Sequence, residues 1–171
     1  MSERARALKV GGALLTVLVI GLIVGFVLLG GNDAPPSNGS PSPTSTDVKT
    51  QVEAAYLDAW DVWDEAMRNL DPSRLSDAMT GRALQAVAAQ VEEARRKNEP
   101  VSIEAEHNYR IDIVDATTAS VDDNYINHSV RLDPETGQPK ESPPSKRVHK
   151  SFTMRLVDGT WKLAEIIGFD S

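Results

Sequence analysis

Apolar and polar residues alternate with four different rhythms along this chain, and each rhythm predicts a different kind of segment. From Val10 to Leu29 there is no rhythm at all: the run is rich in Val, Leu, Ile and Gly, and no charge appears from Val10 to Asn32. Twenty residues at ~1.5 Å rise span about 30 Å, the hydrocarbon thickness of a bilayer, and lipid leaves a backbone no partner outside a helix. Residues 10–30 therefore read as a membrane-spanning helix. The run is too long for the apolar region of a cleaved signal peptide, and no A-x-A-like site follows it. Next comes GGNDAPPSNGSPSPTST, four prolines among Ser, Thr and Gly, which can neither bury surface nor sustain a helix. Residues 31–46 are a linker reaching about 22 Å as a coil and about 50 Å if extended as polyproline.

The third rhythm is helical. Val52, Ala55, Tyr56, Ala59, Trp60, Trp63, Met67 and Leu70 recur at three and four, predicting one long helix with a buried stripe. Thr50 to Glu53 has the form of a capping box, with Thr46 or Asp47 as earlier starts. Asp71-Pro72 predicts a stop and a new, short helix with Asp71 as its N-cap. Gly81 breaks that helix. A third carries Leu84, Val87, Ala88 and Val91, holds Arg95, Arg96 and Lys97 in its last turn, and ends before Pro100.

The fourth rhythm has period two. Val101, Ile103, Ala105, His107, Tyr109, Ile111 and Ile113 are all odd-numbered, predicting one long half-buried strand. A second strand runs from Ala119 to Leu132. Its apolar phase moves from Val121 and Tyr125 to Ile126, Val130 and Leu132, predicting a bulge near Tyr125. After a polar loop opened by Asp133 to Gly137, strand three carries Val148, Phe152, Met154 and Leu156. Asp158-Gly159 is a hairpin turn, and strand four, Thr160 to Phe169, places Trp161, Leu163 and Ile167 on one face. The expectation is α+β: an N-terminal transmembrane helix, then three helices packed on a curved four-stranded antiparallel sheet, with 47–171 as the folded domain.

Charge fixes the predicted orientation. Glu3, Arg4, Arg6 and Lys9 precede the apolar run with a net +2, and Asp33 is the first charge after it. The positive-inside rule puts residues 1–9 in the cytoplasm and the domain outside a cell membrane. The chain's net charge is −7, so the part beyond the span carries about −9. Such acidity disfavours nucleic acid, whose binding rests on neutralising phosphates. With no cysteine there is no disulfide, thiolate zinc site or thiol nucleophile. Cofactors and metals are not expected, because no calcium loop, zinc spacing, Walker loop or dinucleotide glycine run is present. Gly21 and Gly25 have the G-x-x-x-G spacing that lets two membrane helices approach, a route to a homodimer. The expected partners are the bilayer, through residues 10–30, and a protein of the cell envelope.

The stretch Leu84 to Asn98, the long strand after it, TTASVDDNYIN, the DPETG loop and the closing DGTWKLAEI together resemble the nuclear transport factor 2-like superfamily. The resemblance covers about residues 48–168, and Gly159-Thr160-Trp161-Lys162 is a hairpin common there. It is nearest to membrane-tethered bacterial members, such as domains associated with mammalian-cell-entry transport proteins, and to the inner-membrane-space domain of plastid division proteins. It implies a cone, a curved sheet wrapped round a long helix, with a pocket inside. Unlike enzyme members, this chain has no strand pair between its second and third helices, so their pocket walls do not carry over and no activity is implied.

Candidate chemistry follows from the strand phases. His107 and Tyr109 lie on the apolar phase, where His107 could act as a general base or simply be a paired histidine at the core edge. Asp123 shares the phase of Val121 and Tyr125, but a bulge at Tyr125 would turn it outward as a solvated acid, the outcome favoured by the rarity of buried carboxylates. Glu165, in phase with Trp161, Leu163 and Ile167, would face inward or sit at the rim paired with Arg155. Trp60, Trp63, Tyr125, Phe152 and Trp161 would line a cavity or fill a core. The reading these residues support is a membrane-anchored extracytoplasmic binding or accessory domain without catalysis. The alternatives are a cone enzyme using His107 with Asp123 or Glu165, and a scaffold subunit of a membrane complex.

Overall fold

A computed structural model describes residues 45–168. The expected transmembrane helix, the linker up to residue 44, and Gly21 and Gly25 lie outside the described residues. Among the described residues no helix is long and apolar enough to cross a membrane.

Helix α1 runs Ser45–Asn69, α2 Leu75–Ala78 and α3 Gly81–Lys97. The periodic stripe is what α1 buries: Val52, Tyr56, Ala59, Trp60, Trp63 and Met67, joined by Val62 and Ala66. The helix starts before the expected capping box, so Thr50 is already inside it and its hydroxyl donates back to Thr46 O at 3.1 Å. Asp71 does not cap a helix at Pro72. Its carboxylate instead accepts from the Ser73 N–H and hydroxyl, both at 3.0 Å, and this local turn delays α2 to Leu75. α3 ends as its basic last turn suggests, with Asn98 left-handed at φ 51° and its N–H returned to Ala94 and Arg95 carbonyls.

The expected first strand is three pieces: β1 (Val101–Ser102), β2 (Ala105–Glu106) and β3 (Tyr109–Ile113). The second is β4 (Thr118–Asn127) and β5 (Val130–Arg131). β6 (Lys146–Val157) and β7 (Thr160–Gly168) complete the antiparallel order, β2 and β3 both pairing with β4, then β6, then β7. The pieces nevertheless keep one register, from Val101↔Arg131 through Glu106↔Ile126 to Ile113↔Ala119. The breaks fall where side chains take over backbone donors. Ile103 N donates to Asp64 Oδ1 (2.6 Å), Glu104 N to Ser129 Oγ (3.3 Å) and Asn108 N to Asp123 Oδ1 (3.0 Å). Arg68 also bonds Ser102, so α1 clamps this ribbon at two points.

The bulge is not at Tyr125. β4 pairs with β6 without a register shift from Thr118↔Arg155 to Asn127↔Lys146, and its buried positions run evenly through Ala119, Val121, Asp123 and Tyr125. The phase changes only in the gap before β5. The irregularity lies between β6 and β7, where Thr153 faces Glu165 but Met154 faces Leu163, leaving Ala164 extra. The α2–α3 connection docks there: Thr80 N donates to Leu163 O at 2.8 Å, and a Cβ on Gly81 would stand 3.2 Å from Ala164 O. α1 and α3 cover one face of the sheet, α3 chiefly against β7 and α1 against β3 and β7. The core between them is apolar except for Ser102 and one carboxylate, Asp123.

Candidate functional site

That carboxylate is fully buried, the reverse of the expectation. With no bulge at Tyr125, Asp123 keeps the inner phase of β4, opposite Tyr109 on β3 and Lys150 on β6. It survives burial because three elements supply donors. Tyr56 OH from α1 donates to Oδ2 at 2.7 Å, His107 Nδ1 lies 2.6 Å from the same oxygen, and Asn108 N–H serves Oδ1 at 3.0 Å. Burial pushes the Asp123 carboxyl up. The His107 and Tyr56 bonds and the Asn108 amide outweigh it, and the group stays below its ordinary value. An ionised carboxylate only accepts, so the proton on the His107 bond is assigned to Nδ1. Burial first, and the Asp123 bond second, raise the Tyr56 phenol far above its usual value, keeping it a neutral donor.

Rings close round this network. Tyr56 meets Phe152 at 5.2 Å, Tyr109 at 5.4 Å and His107 at 5.7 Å, all edge-on. Trp60 touches His107 at 4.8 Å and Tyr125 at 5.2 Å, and stacks on Trp63 at 5.3 Å. The Trp60 N–H leans toward the Tyr56 hydroxyl without reaching hydrogen-bonding geometry. Tyr109 donates to Glu53 at 2.7 Å, and burial, with that bond, pushes its phenol up to about 12. Burial likewise pushes the Tyr125 phenol up to about 12.

Most of the ring and histidine candidates therefore converge. Trp161 does not: it is buried near the β6–β7 hairpin opposite Leu156, apart from this cluster. Glu165 is also excluded. The extra Ala164 turns Glu165 and Ile167 to the outer face and brings Ile166 inward opposite Phe152. Glu165 accepts from Arg82 at 2.8 Å, not from Arg155. Two contributors escaped sequence reasoning. Tyr56 stood in the core stripe, where its hydroxyl, the one oxygen among those side chains, was the available signal. Asn108 acts through its backbone, which no residue type announces.

The cluster is not sealed on every side. His107, about one-sixth exposed, lies at the break between β2 and β3. On one side is a cleft of ≈ 390 Å³ that includes Asn108, Asn124 and Arg147; on the other is one of ≈ 360 Å³ against α1. Nε2 of His107 has no hydrogen-bond partner among the described residues. No group of three or more His, Asp or Glu among the described residues could hold a metal ion.

No protein-family model and no curated protein matches the chain. Solved structures do. The intermembrane space region of the chloroplast protein ARC6 is 14% identical and superposes with a TM-score of 0.55, over 72% of this chain and 97% of that one. A candidate aromatic ring hydroxylase from Novosphingobium aromaticivorans is 13% identical (TM-score 0.49; 71% and 92% covered). An NTF2-like protein of unknown function from Shewanella oneidensis is 11% identical (TM-score 0.42; 67% and 95% covered). Proteins described as NTF2-like recur among the structural neighbours, and the likeness to the ARC6 region shows a shared α+β fold.

Proposed function

We propose that the chain is a membrane-anchored binding or accessory protein, with residues 45–168 held outside the cell membrane and without catalytic turnover. The observation that carries the non-catalytic part is the occupancy of the cone. Tyr56, Trp60, Tyr125 and Phe152 fill the space between α1 and the sheet, and Asp123 spends its acceptors on groups of the protein itself. A catalytic site of this class needs a water-excluding pocket into which polar groups converge unspent. Here the network borders a cleft only at its edge, at His107 and Asn108, so recognition at the surface is the better fit. Anchorage is supported by the uncharged run from Val10 to Leu29 and by Arg4, Arg6 and Lys9 before it.

The chain has no cysteine, so a single Glu141→Cys in the exposed loop before β6 gives a clean probe. In intact cells or spheroplasts a membrane-impermeant maleimide should label it, while Ser2→Cys should react only after lysis. The opposite pattern, or labelling of neither before lysis, refutes the placement. One observation favours a second reading, a proton-abstracting enzyme: His107, held by Asp123 at Nδ1, borders a cleft in the manner of an acid-oriented histidine base. That reading requires His107→Gln to abolish a turnover that the unaltered protein supports, and an unchanged rate would remove it.

A further inference from the structure

β3 is an edge strand: it pairs with β4 on one side and, among the described residues, with no strand on the other. Which backbone groups face that open side follows from the ladder. Asn124 N donates to Asn108 O at 3.1 Å and Val114 N to Thr118 O at 3.0 Å, so 108↔124 and 114↔118 are hydrogen-bonded pairs. Such pairs alternate in an antiparallel ladder. Arg110 and Asp112 therefore also spend their N–H and C=O groups on β4, and Tyr109, Ile111 and Ile113 turn theirs outward. The same parity points Ile103 N–H outward further along the ribbon, where Asp64 of α1 takes it at 2.6 Å. No described group takes the outward backbone groups of Tyr109, Ile111 and Ile113. The opposite edge is treated differently: at β7 the α2–α3 connection lies against Leu163 through Thr80 N.

Charged side chains on an edge strand deter pairing with other strands. β3 carries Arg110 and Asp112 on the outer face, with side chains 75% and 57% exposed and 3.0 Å apart. Their order makes the deterrent selective. In an antiparallel pair of two β3 strands centred on Ile111, Arg110 stands opposite Asp112 of the second copy, and Asp112 opposite its Arg110. Ile111 meets Ile111, and Tyr109 meets Ile113, whose side chain is 37% exposed in the single chain. All three outward-facing residues then fall in hydrogen-bonded pairs, about six N–H···O bonds at two per pair. A slip of two residues either way keeps the bonding parity but sets Arg110 against Arg110 or Asp112 against Asp112, and like charges directly opposite are destabilising. A slip of one mismatches both the backbone groups and the two faces. The register that satisfies the backbone and pairs the charges is self-complementary, as a two-fold contact requires.

We infer that the domain associates with a second copy of this chain by antiparallel β3–β3 pairing about Ile111. The inference goes beyond the binding reading above and does not depend on it. The test uses the full chain in detergent, with a single cysteine placed at 110 or 112 of a sequence that has none. Facing residues of a non-hydrogen-bonded pair have Cα atoms about 4.5 Å apart, within disulfide range, whereas 110–110 and 112–112 are diagonal, about 7–8 Å apart. Under mild oxidation an equimolar mixture of Arg110→Cys and Asp112→Cys chains should form about fivefold more cross-linked dimer than either chain alone. Charge is tested by sedimentation in a Gly21→Ile, Gly25→Ile background, which removes the close-approach spacing of the apolar run. There Asp112→Arg should weaken the dimer about tenfold, and adding Arg110→Asp should restore it to within about threefold. Both side chains are exposed, so neither change threatens the fold. No cross-link in the mixture, equal cross-linking in either chain alone, an Asp112→Arg chain that dimerises as its parent does, or a double swap that fails to restore the dimer would each overturn it.

Discussion

Replacing Tyr56 by Phe tests whether the buried carboxylate is held by its donors. Tyr56 is fully buried, and its hydroxyl gives Asp123 one of three hydrogen bonds. Phe keeps the ring contacts and deletes only the donor. A hydrogen bond to a charged group contributes about 1.5–3 kcal/mol, so a loss of about 2 kcal/mol at neutral pH is expected. For a domain of this size, with a urea slope of about 1.5–2 kcal/mol per M, the midpoint should fall by about 1 M. The pH dependence separates this cause from simple loss of packing. Asp123 titrates in the folded protein below its ordinary 3.8, because its donors outweigh burial. Its contribution is therefore fully present above that value and is lost as pH falls through the lower, folded value. Removing Tyr56 moves the folded value up, so the gap between variant and parent should be widest at pH 7 and narrow below about pH 4. Urea titrations of the compact unit Ser40–Ser171, read by tryptophan fluorescence from pH 7 to 3, measure it. A gap that is constant with pH, or smaller than about 0.5 kcal/mol at pH 7, would refute the donor account.

Three further substitutions probe the β6–β7 pair and the α2–α3 connection docked on it. Gly81→Ala puts a side chain at φ +55° with its Cβ 3.2 Å from Ala164 O, whereas Gly159→Ala meets the same kind of backbone at φ +80° with open space around it. Left-handed backbone costs about 1–2 kcal/mol, so both should destabilise by about that amount and Gly81→Ala should exceed Gly159→Ala; equal losses in thermal unfolding would show that the α2–α3 connection is not pressed on the bulge. Glu165→Gln should change stability by less than about 0.5 kcal/mol, since its partner Arg82 is a largely exposed cation. A loss of 2 kcal/mol or more in the same assay would mean that Glu165 is an inward-facing member of the core.

Periodicity located the helices and strands because burial is what they share. The stripe from Val52 to Met67 is buried apart from a half-buried Ala55, and the odd-numbered phase of the first ribbon holds from Ile103 to Ile111. It failed where a side chain replaced a backbone partner or an extra residue entered a ladder. Asp64, Ser129 and Asp123 each take an N–H from the ribbon, and all three are distant in sequence from the residues they serve. Ala164 is small and apolar, so the residue that shifts β7 by one leaves no break in the apolar pattern. Val130 and Leu132, by contrast, displayed a real change of phase. It belongs to the gap between β4 and β5, three residues beyond where the alternation alone would put it.

The misjudgement of Asp123 has the most physical content. A lone carboxylate in an apolar layer is strongly unfavourable, and the general rule sends such a residue to water. Here the rule is overridden by donors that the fold brings from α1 and from a break in the facing ribbon. Those donors tie α1 to the sheet at one point and disfavour other registers, since a slip of two residues would keep the charge buried away from its donors and a slip of one would turn the apolar face of β4 outward. The same break that frees Asn108 N–H for Asp123 holds His107 at the boundary between the packed interior and two clefts. One buried charge thus fixes the ribbon's position and orients His107, the network side chain that borders both clefts.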